Sequence, residues 1–126
     1  MTPLLFVVLA VCGGLGACTR FFLDALIKAR TSGALPWGTI TINISGSFLL
    51  GLITGLVLGN CLPPVWQLAV GTGFLSGYTT FSTASFETVK LIQAGKPVAG
   101  ALNAFGTLIG AVGAALCGLW AASWVY

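Results

Sequence analysis

The stretch GTGFLSGYTTFSTASFE, from Gly71 to Glu87, decides how the rest of the chain must be arranged. Its glycines and its many serine and threonine residues make it a poor helix, because glycine lowers helix propensity and short hydroxyl side chains bond to nearby backbone. The surrounding sequence is strongly apolar, as in a membrane-spanning region. Irregular backbone at bilayer depth occurs only where it is buried in protein or lines a water-filled cavity. We therefore expect this segment to contain the working site.

Composition indicates an integral membrane protein. Of the 126 residues, 57% are hydrophobic and only 6% are charged. The charged residues fall in two clusters, at 20–30 and 87–96, and none lies between 31 and 86. Because one crossing needs about 20 residues, the uncharged interval can hold two spans and the uncharged ends can supply one each. The sequence thus predicts an all-α membrane protein with four transmembrane helices in a single domain, residues 1–126.

We predict spans at about residues 3–27, 38–59, 65–92 and 98–124. The third span contains the Gly71–Glu87 segment, and we expect it to be broken mid-membrane near Ser76 to Thr80. Such a break leaves free carbonyl groups at one half-helix end and free amide groups at the other, from which membrane proteins build ion sites. A bent but unbroken helix is the alternative interpretation.

Arg20 lies within the first span. Gly16, Arg20, Asp24 and Lys28 follow one another at intervals of four residues and so share one helix face. Two interpretations of the arginine stay open at this point. It either extends to the membrane interface or pairs with Asp24, or it attracts an anion at a vestibule.

The second span carries a stripe that repeats every four residues: Thr39, Asn43, Ser47, Gly51, Gly55 and Gly59. We interpret its glycines as a helix-packing seam. A second seam is expected in the fourth span, at Gly106, Gly110, Ala114 and Gly118. Asn43 differs, because an amide inside the membrane is costly without partners and its NH₂ group offers two donors to an anion or to a neighbouring carbonyl.

The sequence lacks the residues that several functional classes require. It has no His, no paired carboxylates and no phosphate-cradling loop, so we predict that it is not an enzyme. The four cysteines stand singly without metal-ligand spacing, and the scattered basic residues indicate no nucleic-acid partner. Transport remains. Arg20, Asn43 and the hydroxyl groups of the third span are hydrogen-bond donors, which suit an anion that loses its hydration shell, and the ring edge of Phe81 adds partial positive charge.

The basic residues also predict an orientation. Lys28, Arg30, Lys90 and Lys96 all lie in or beside the first and third loops, whereas the termini and the Asn60–Pro64 turn contain no Lys or Arg. Under the positive-inside rule, both termini lie outside and the chain inserts in a single orientation.

Three motifs taken together resemble one family. They are Gly13-x-x-Gly16-Ala17-x-x-Arg20-Phe21, then Gly38-Thr39-x-x-x-Asn43-x-x-Gly46-Ser47, then Gly73-Phe74-x-x-Gly77-x-Thr79-Thr80-Phe81-Ser82-Thr83 with Glu87. In order, spacing and number of spans, and over essentially the whole chain, this pattern resembles the small fluoride channels called Fluc or CrcB.

The resemblance implies an antiparallel, dual-topology dimer of four-helix subunits in the bacterial inner (plasma) membrane. Such a dimer exports toxic fluoride passively through two narrow pores between its subunits. The resemblance also implies a structural sodium ion (Na+) at the dimer centre, held by the backbone carbonyl groups of Ser76 and Thr79. The expected partners are fluoride, sodium, the lipid bilayer and an oppositely oriented second subunit, which is either a second copy or a homologue.

The resemblance further implies a set of pore residues: Arg20, Asn43, Phe81, Ser82, Thr83, Glu87, Asn103 and Thr107. Within this set the arginine attracts the anion in a vestibule, the Asn43 amide bonds it inside the pore, and the phenylalanine offers its ring edge. The serine and Thr83 supply hydroxyl contacts, and the glutamate lies at the far end of the pore. The last two residues form a polar track on the fourth helix.

Ala84 departs from the family pattern Thr-Thr-Phe-Ser-Thr-Phe-Ser, in which a second Phe occupies its place. Phe86 comes two residues later and is expected to face differently. Ser76 stands where the family commonly has Gly, but a serine keeps the backbone carbonyl group that the resemblance implies as a ligand. Each pore of a homodimer would then lack one of two rings. We therefore predict that the chain works with an oppositely oriented homologue that supplies the missing ring for at least one pore.

Two other classes stay open. A small four-helix multidrug or cation exporter needs a titratable carboxylate inside the membrane, whereas Asp24 and Glu87 lie near span ends. A membrane scaffold without transport activity accounts for the small-residue seams but not for Asn43 or the broken third span.

Overall fold

The computed structural model describes residues 2–125, and this part of the chain contains helices and no strand. The helices are α1 (Pro3–Arg30), α2 (Trp37–Leu58), α3 (residues 64–78), α4 (Phe81–Gln93) and α5 (Pro97–Ala122). α1, α2 and α5 are each long and apolar enough to cross a membrane. The prediction of an all-helical, multi-pass membrane protein is confirmed.

α3 is irregular along most of its length. It consists of one α-helical turn at Pro64–Trp66, a π-helical segment at Gln67–Leu75 and a second α-helical turn at Ser76–Tyr78. Thr79 (φ −79°, ψ 157°) and Thr80 (φ −147°, ψ 114°) are extended and separate α3 from α4. At the usual helical rise, α3 and α4 are each roughly 20 Å long, shorter than a bilayer core of about 30 Å. Only the two together reach the length of one crossing.

α1 and α3 pack backbone against backbone. A Cβ atom at Gly16 would overlap the carbonyl group of Phe74, and one at Gly77 would overlap the carbonyl group of Gly13. Glycine allows this approach because it has no side chain, as in the small-residue interfaces of other membrane helices. The contact sets the end of α3 beside Arg20, one helical turn beyond Gly16.

α2 and α5 form the most extensive helix pair in the structure. A Cβ atom at Gly51 would overlap the carbonyl group of Ala115, and one at Gly118 would overlap the carbonyl group of Phe48. These contacts confirm the predicted seams at those positions. Gly106 is an exception: within residues 2–125, no atom lies within 4 Å of the Cβ position there, so its assignment to the seam was wrong.

The α4–α5 connection shows why the chain turns where it does. The N–H group of Lys96 donates to the carbonyl oxygen of Leu91 at 2.9 Å, and Gly95 adopts φ 78°, a left-handed conformation that glycine adopts without strain. Gly95 therefore ends the helical path after α4. The α1–α2 and α4–α5 loops line one shared cavity, so they lie at the same end of the molecule.

Candidate functional site

The side chain of Asn43 holds the extended segment between α3 and α4. Its Nδ2 atom donates to the carbonyl oxygen of Thr80 at 2.9 Å, and its Oδ1 atom accepts from the N–H group of Thr80 at 2.8 Å. One amide thereby satisfies both backbone groups of a residue that has left the helix, and buried backbone groups need such partners. Asn43 is 9% exposed, and this contact uses only one of its two Nδ2 hydrogens.

Arg20 contacts the same segment from α1. Its Nε atom donates to the carbonyl oxygen of Gly77 at 3.3 Å. The guanidinium therefore lies against the C-terminal end of α3, where carbonyl groups without helical partners carry partial negative charge. Asp24 is paired with the Nζ atom of Lys28 at 3.0 Å, so the interpretation of Arg20 as the partner of Asp24 was wrong.

The carbonyl groups of Ser76 and Thr79 form no hydrogen bond within residues 2–125. In a continuous helix the N–H group of Thr80 would donate to Ser76, but here it donates to Asn43. Thr79 donates both its N–H group and its hydroxyl to the carbonyl oxygen of Leu75, each at 2.9 Å. Free carbonyl groups at a half-helix C-terminus are the ligands that membrane proteins use for sodium. The residues present therefore fit the sodium site that the family resemblance implies.

A cavity of about 740 Å³, which we term the central groove, is lined by residues of α2, α3, α4 and α5. Six of the predicted site residues line it: Asn43, Ser76, Thr79, Phe81, Asn103 and Thr107. The Phe81 side chain is 87% exposed and so has few contacts within its own chain. Ala84 lines the same groove, and the small side chain leaves this wall open where a second ring was expected.

A second cavity of about 500 Å³, which we term the loop-side cavity, is lined by both basic loops and by Thr83 and Glu87 of α4. Glu87 accepts a hydrogen bond from the hydroxyl of Thr39 at 2.6 Å, and Thr39 is almost fully buried. Three lysines also line this cavity: Lys28, Lys90 and Lys96. Phe86 also lines this cavity and does not line the central groove, as expected because it faces a different direction from Ala84.

Asn103 is the most deeply buried of the predicted site residues, at 1% exposure. Its Nδ2 atom lies 2.8 Å from the hydroxyl of Thr88 and 3.4 Å from the carbonyl oxygen of Ala84. Thr88 gives its own hydrogen to that carbonyl at 2.9 Å, so its hydroxyl can only accept from the amide. Within the described residues, Asn103 Oδ1 and Thr107 Oγ1 are buried and have no partner. The Asn103 amide uses its Nδ2 hydrogens in these two contacts, whereas the Thr107 hydroxyl still has its hydrogen to donate.

The predicted site residues therefore divide between two cavities. Thr83 and Glu87 belong to the loop-side cavity, and the six named above belong to the central groove. In the part of the chain that the structure describes, Arg20 and Ser82 line neither cavity. The interruption at Thr79 and Thr80 separates α3, which carries Ser76, from α4, which carries Phe81, Ser82, Thr83 and Glu87.

Three polar residues at the site escaped prediction as functional. Thr39 was detectable, because it belongs to the same four-residue stripe as Asn43. The other two are Tyr78 and Ser45, whose hydroxyl oxygens lie 3.0 Å apart. Ser45 lies off the stripe, and Tyr78 stands in the Gly71–Glu87 segment with no pattern that distinguishes it from its neighbours.

Comparisons with known proteins agree on one family. Residues 7–119 match the family model described as "CrcB-like protein, Camphor Resistance (CrcB)". A protein of Leifsonia xyli named "Fluoride-specific ion channel FluC 1" is 50% identical over 120 residues, which cover 95% of this chain and 88% of that protein. "Fluoride-specific ion channel FluC 2" of Cutibacterium acnes is 46% identical over 108 residues, covering 85% of this chain and 88% of the relative.

"Fluoride-specific ion channel FluC 3" of Bifidobacterium longum is 45% identical over 93 residues, covering 74% of this chain and 77% of the relative. All three relatives are named as ion channels and none as an enzyme, in agreement with the prediction that the chain is not an enzyme. The motifs quoted from the sequence lie within the matched residues. The chain belongs to the CrcB-like family.

Proposed function

We propose that the chain is a subunit of a passive fluoride channel in the bacterial plasma membrane. The observation that carries this proposal is its 50% identity, over 95% of its length, to a protein named as a fluoride-specific ion channel. The choice of fluoride over other anions rests on the relatives, because hydrogen-bond donors alone do not separate one halide from another.

The proposed pore uses the donors on the walls of the central groove. Asn43 has an Nδ2 hydrogen that Thr80 does not use, Thr107 has a free hydroxyl hydrogen, and the exposed ring of Phe81 offers its positive edge. Together they replace part of the anion's hydration shell. Ser82 and Thr83 add hydroxyl contacts, and the path ends near Glu87 at the loop-side cavity. Arg20 attracts the anion at a vestibule, and Asn103 completes the polar track on α5.

The proposal includes a structural sodium ion held by the carbonyl groups of Ser76 and Thr79. Support comes from the hydrogen-bond pattern, since the interruption leaves these two carbonyl oxygens without partners in the described residues. A bound sodium ion would be a favourable partner for the partial negative charge of these oxygens. On this view the interrupted backbone lies mid-membrane, where it is stable because protein or an ion satisfies its polar groups.

A second, oppositely oriented subunit is the proposed cover of the central groove. Phe81, which is 87% exposed, projects from a groove wall that is mostly apolar. A partner that faces the groove would enclose both this ring and the sodium site. Because Ala84 leaves the second ring position empty and the basic residues favour one orientation, we propose a homologous partner that carries the missing phenylalanine.

Fluoride efflux from liposomes tests the function. The purified chain and its Ala84→Phe variant are reconstituted separately, and the release of fluoride and of chloride is followed with ion-selective electrodes. We expect fluoride release without chloride release from at least one of the two, unaffected by a protonophore. Two dimeric, folded preparations that both retain fluoride would overturn the proposal. Release that needs a proton gradient would instead favour the exporter class.

A further inference from the structure

Tyr78 is the last helical residue before the interruption, and its hydroxyl lies in a buried hydrogen-bond chain. The residue is 7% exposed, and its hydroxyl oxygen lies 3.0 Å from Ser45 Oγ. Ser45 donates its own hydrogen to the carbonyl oxygen of Ile42 at 3.2 Å. The tyrosine must therefore be the donor in the bond to Ser45. This chain of bonds ties the end of α3 to the middle of α2.

The ring of Tyr78 is enclosed as well. On one side it lies against Gly46, where a Cβ atom would contact the tyrosine ring and overlap the methyl group of Thr79. On another side it stacks on Phe74, with ring centroids 5.9 Å apart. Ring contacts and the hydroxyl bond thus restrict both the position of the side chain and its rotation. The backbone of Tyr78 is fixed accordingly.

One residue before Tyr78 and one shortly after it are also held by side chains of other helices. Gly77 is held through Arg20, and Thr80 is held through Asn43. Ser76 and Thr79, whose carbonyl groups are free, are therefore interleaved with three residues that bond to α1 and α2.

We propose that Tyr78 is a positioning residue for the sodium site, and that its bond to Ser45 sets the direction of the Ser76 and Thr79 carbonyl groups. This inference rests on the sodium ion of the proposed function. A phenylalanine would fill the same space but leave the end of α3 without its bond to α2. The effect of the hydroxyl is thus expected in sodium affinity as well as in stability.

Tyr78→Phe tests the inference, because it removes the hydroxyl and keeps the ring. Thermal unfolding of the purified protein is measured while sodium chloride replaces N-methylglucamine chloride at constant ionic strength. We expect sodium to raise the unfolding temperature of the unchanged protein. In Tyr78→Phe and in Ser45→Ala, the sodium concentration needed for a given rise in unfolding temperature should increase about fivefold, the factor that corresponds to one net hydrogen bond.

Thr54→Val is the matched control. It removes a side-chain bond of 3.1 Å between Thr54 of α2 and Gln67 of α3, far from the interruption. This variant should lower the unfolding temperature at every sodium concentration without changing the sodium concentration needed for a given rise in that temperature. A Tyr78→Phe variant that behaves like Thr54→Val would show that the hydroxyl has only a structural role.

A spectroscopic measurement provides a second readout. The chain has two tyrosines, so tyrosine labelled with ¹³C at Cζ gives two signals, and Tyr78→Phe identifies one of them. We expect the Tyr78 signal to shift on sodium addition and to shift less in Ser45→Ala. If the unchanged protein conducts fluoride but sodium alters neither its unfolding temperature nor this signal, the sodium inference fails and the channel function stands.

Discussion

Asn43 and Thr80 form two hydrogen bonds of opposite direction, at 2.9 and 2.8 Å, between one side-chain amide and one backbone residue. The pair links α2 to the extended segment between α3 and α4. The amide satisfies both backbone groups of Thr80, and the same residue lines the central groove.

Asn43→Asp is expected to reduce fluoride efflux by at least about tenfold, because a carboxylate on the groove wall repels an anion. The aspartate can still accept from the N–H group of Thr80 but no longer donates to its carbonyl oxygen. Efflux per protein is measured in liposomes, with each substitution made in the Ala84→Phe chain, which is expected to conduct without a partner. Asn60→Asp, at an exposed turn with φ 59° that aspartate tolerates, is the control and should leave efflux unchanged. Equal efflux from both variants would remove Asn43 from the pore.

Gly46→Ala is expected to destabilise the fold by about 1–3 kcal/mol, the usual cost of overpacking. The new methyl group would overlap Thr79 and press on the ring of Tyr78. Gly106→Ala is the matched control, because no atom lies within 4 Å of its new methyl group, and helix propensity then favours alanine by about 1 kcal/mol. Thermal unfolding in one detergent compares the two. A stable Gly46→Ala variant would contradict the close packing of α2 against the interruption.

Charge at the loop-side cavity is expected to control the local fluoride concentration and therefore the rate of efflux. In the Ala84→Phe chain, Glu87→Gln removes a negative charge and keeps an oxygen that accepts from Thr39, so fluoride efflux at low ionic strength should rise by about twofold. Lys90→Gln, on the same cavity, should lower it by a similar factor. Both effects should shrink at about 1 M salt, where charges are screened within about 3 Å. Salt-independent differences would point to altered structure instead.

The parts of the site that could be predicted from the sequence are those that depend on neighbouring residues along the chain. Poor helix propensity around Ser76 and a regular stripe through Asn43 can be read along the chain, and the structure brings these two features together. Tyr78 and Ser45 have no such local pattern, because their bond depends on how α3 crosses α2. The same holds for Gly106, which continues a periodic pattern but has no neighbouring atom of the described residues within 4 Å of its Cβ position.

The division of the pore residues between two cavities also required the three-dimensional structure. Phe81 and Thr83 lie two residues apart on one short helix, yet they line different spaces. A helix turns by about 100° per residue, so these two residues face nearly opposite directions, but the space that each one lines depends on where α4 starts and how it packs. Thr80 determines that start, since its hydroxyl accepts from the N–H group of Thr83 at 3.1 Å as an N-cap.

The orientation predicted from the basic residues can be measured with cysteine labelling. Cys61 is exposed in the turn after α2, and the positive-inside rule puts this turn outside the cell. In a variant whose sole cysteine is Cys61, a membrane-impermeant maleimide added to intact cells should react. A second variant, with Ser32→Cys as the sole cysteine in the opposite loop, should react only after permeabilisation. Equal labelling of both positions in intact cells would mean that the chain inserts in two orientations.

Ala84→Phe tests whether the chain lacks a pore ring that a homologous partner supplies. Ala84 lines the central groove beside Phe81, and the open space there can accept a larger side chain. The purified chain alone should give little fluoride efflux, whereas Ala84→Phe should give at least about tenfold more, since the ring edge adds partial positive charge along the anion's path. Ala104→Phe, a ring added to the α5 wall of the same groove, is the control and should give no gain. Robust efflux from the unchanged chain as a purified homodimer would contradict the need for a partner.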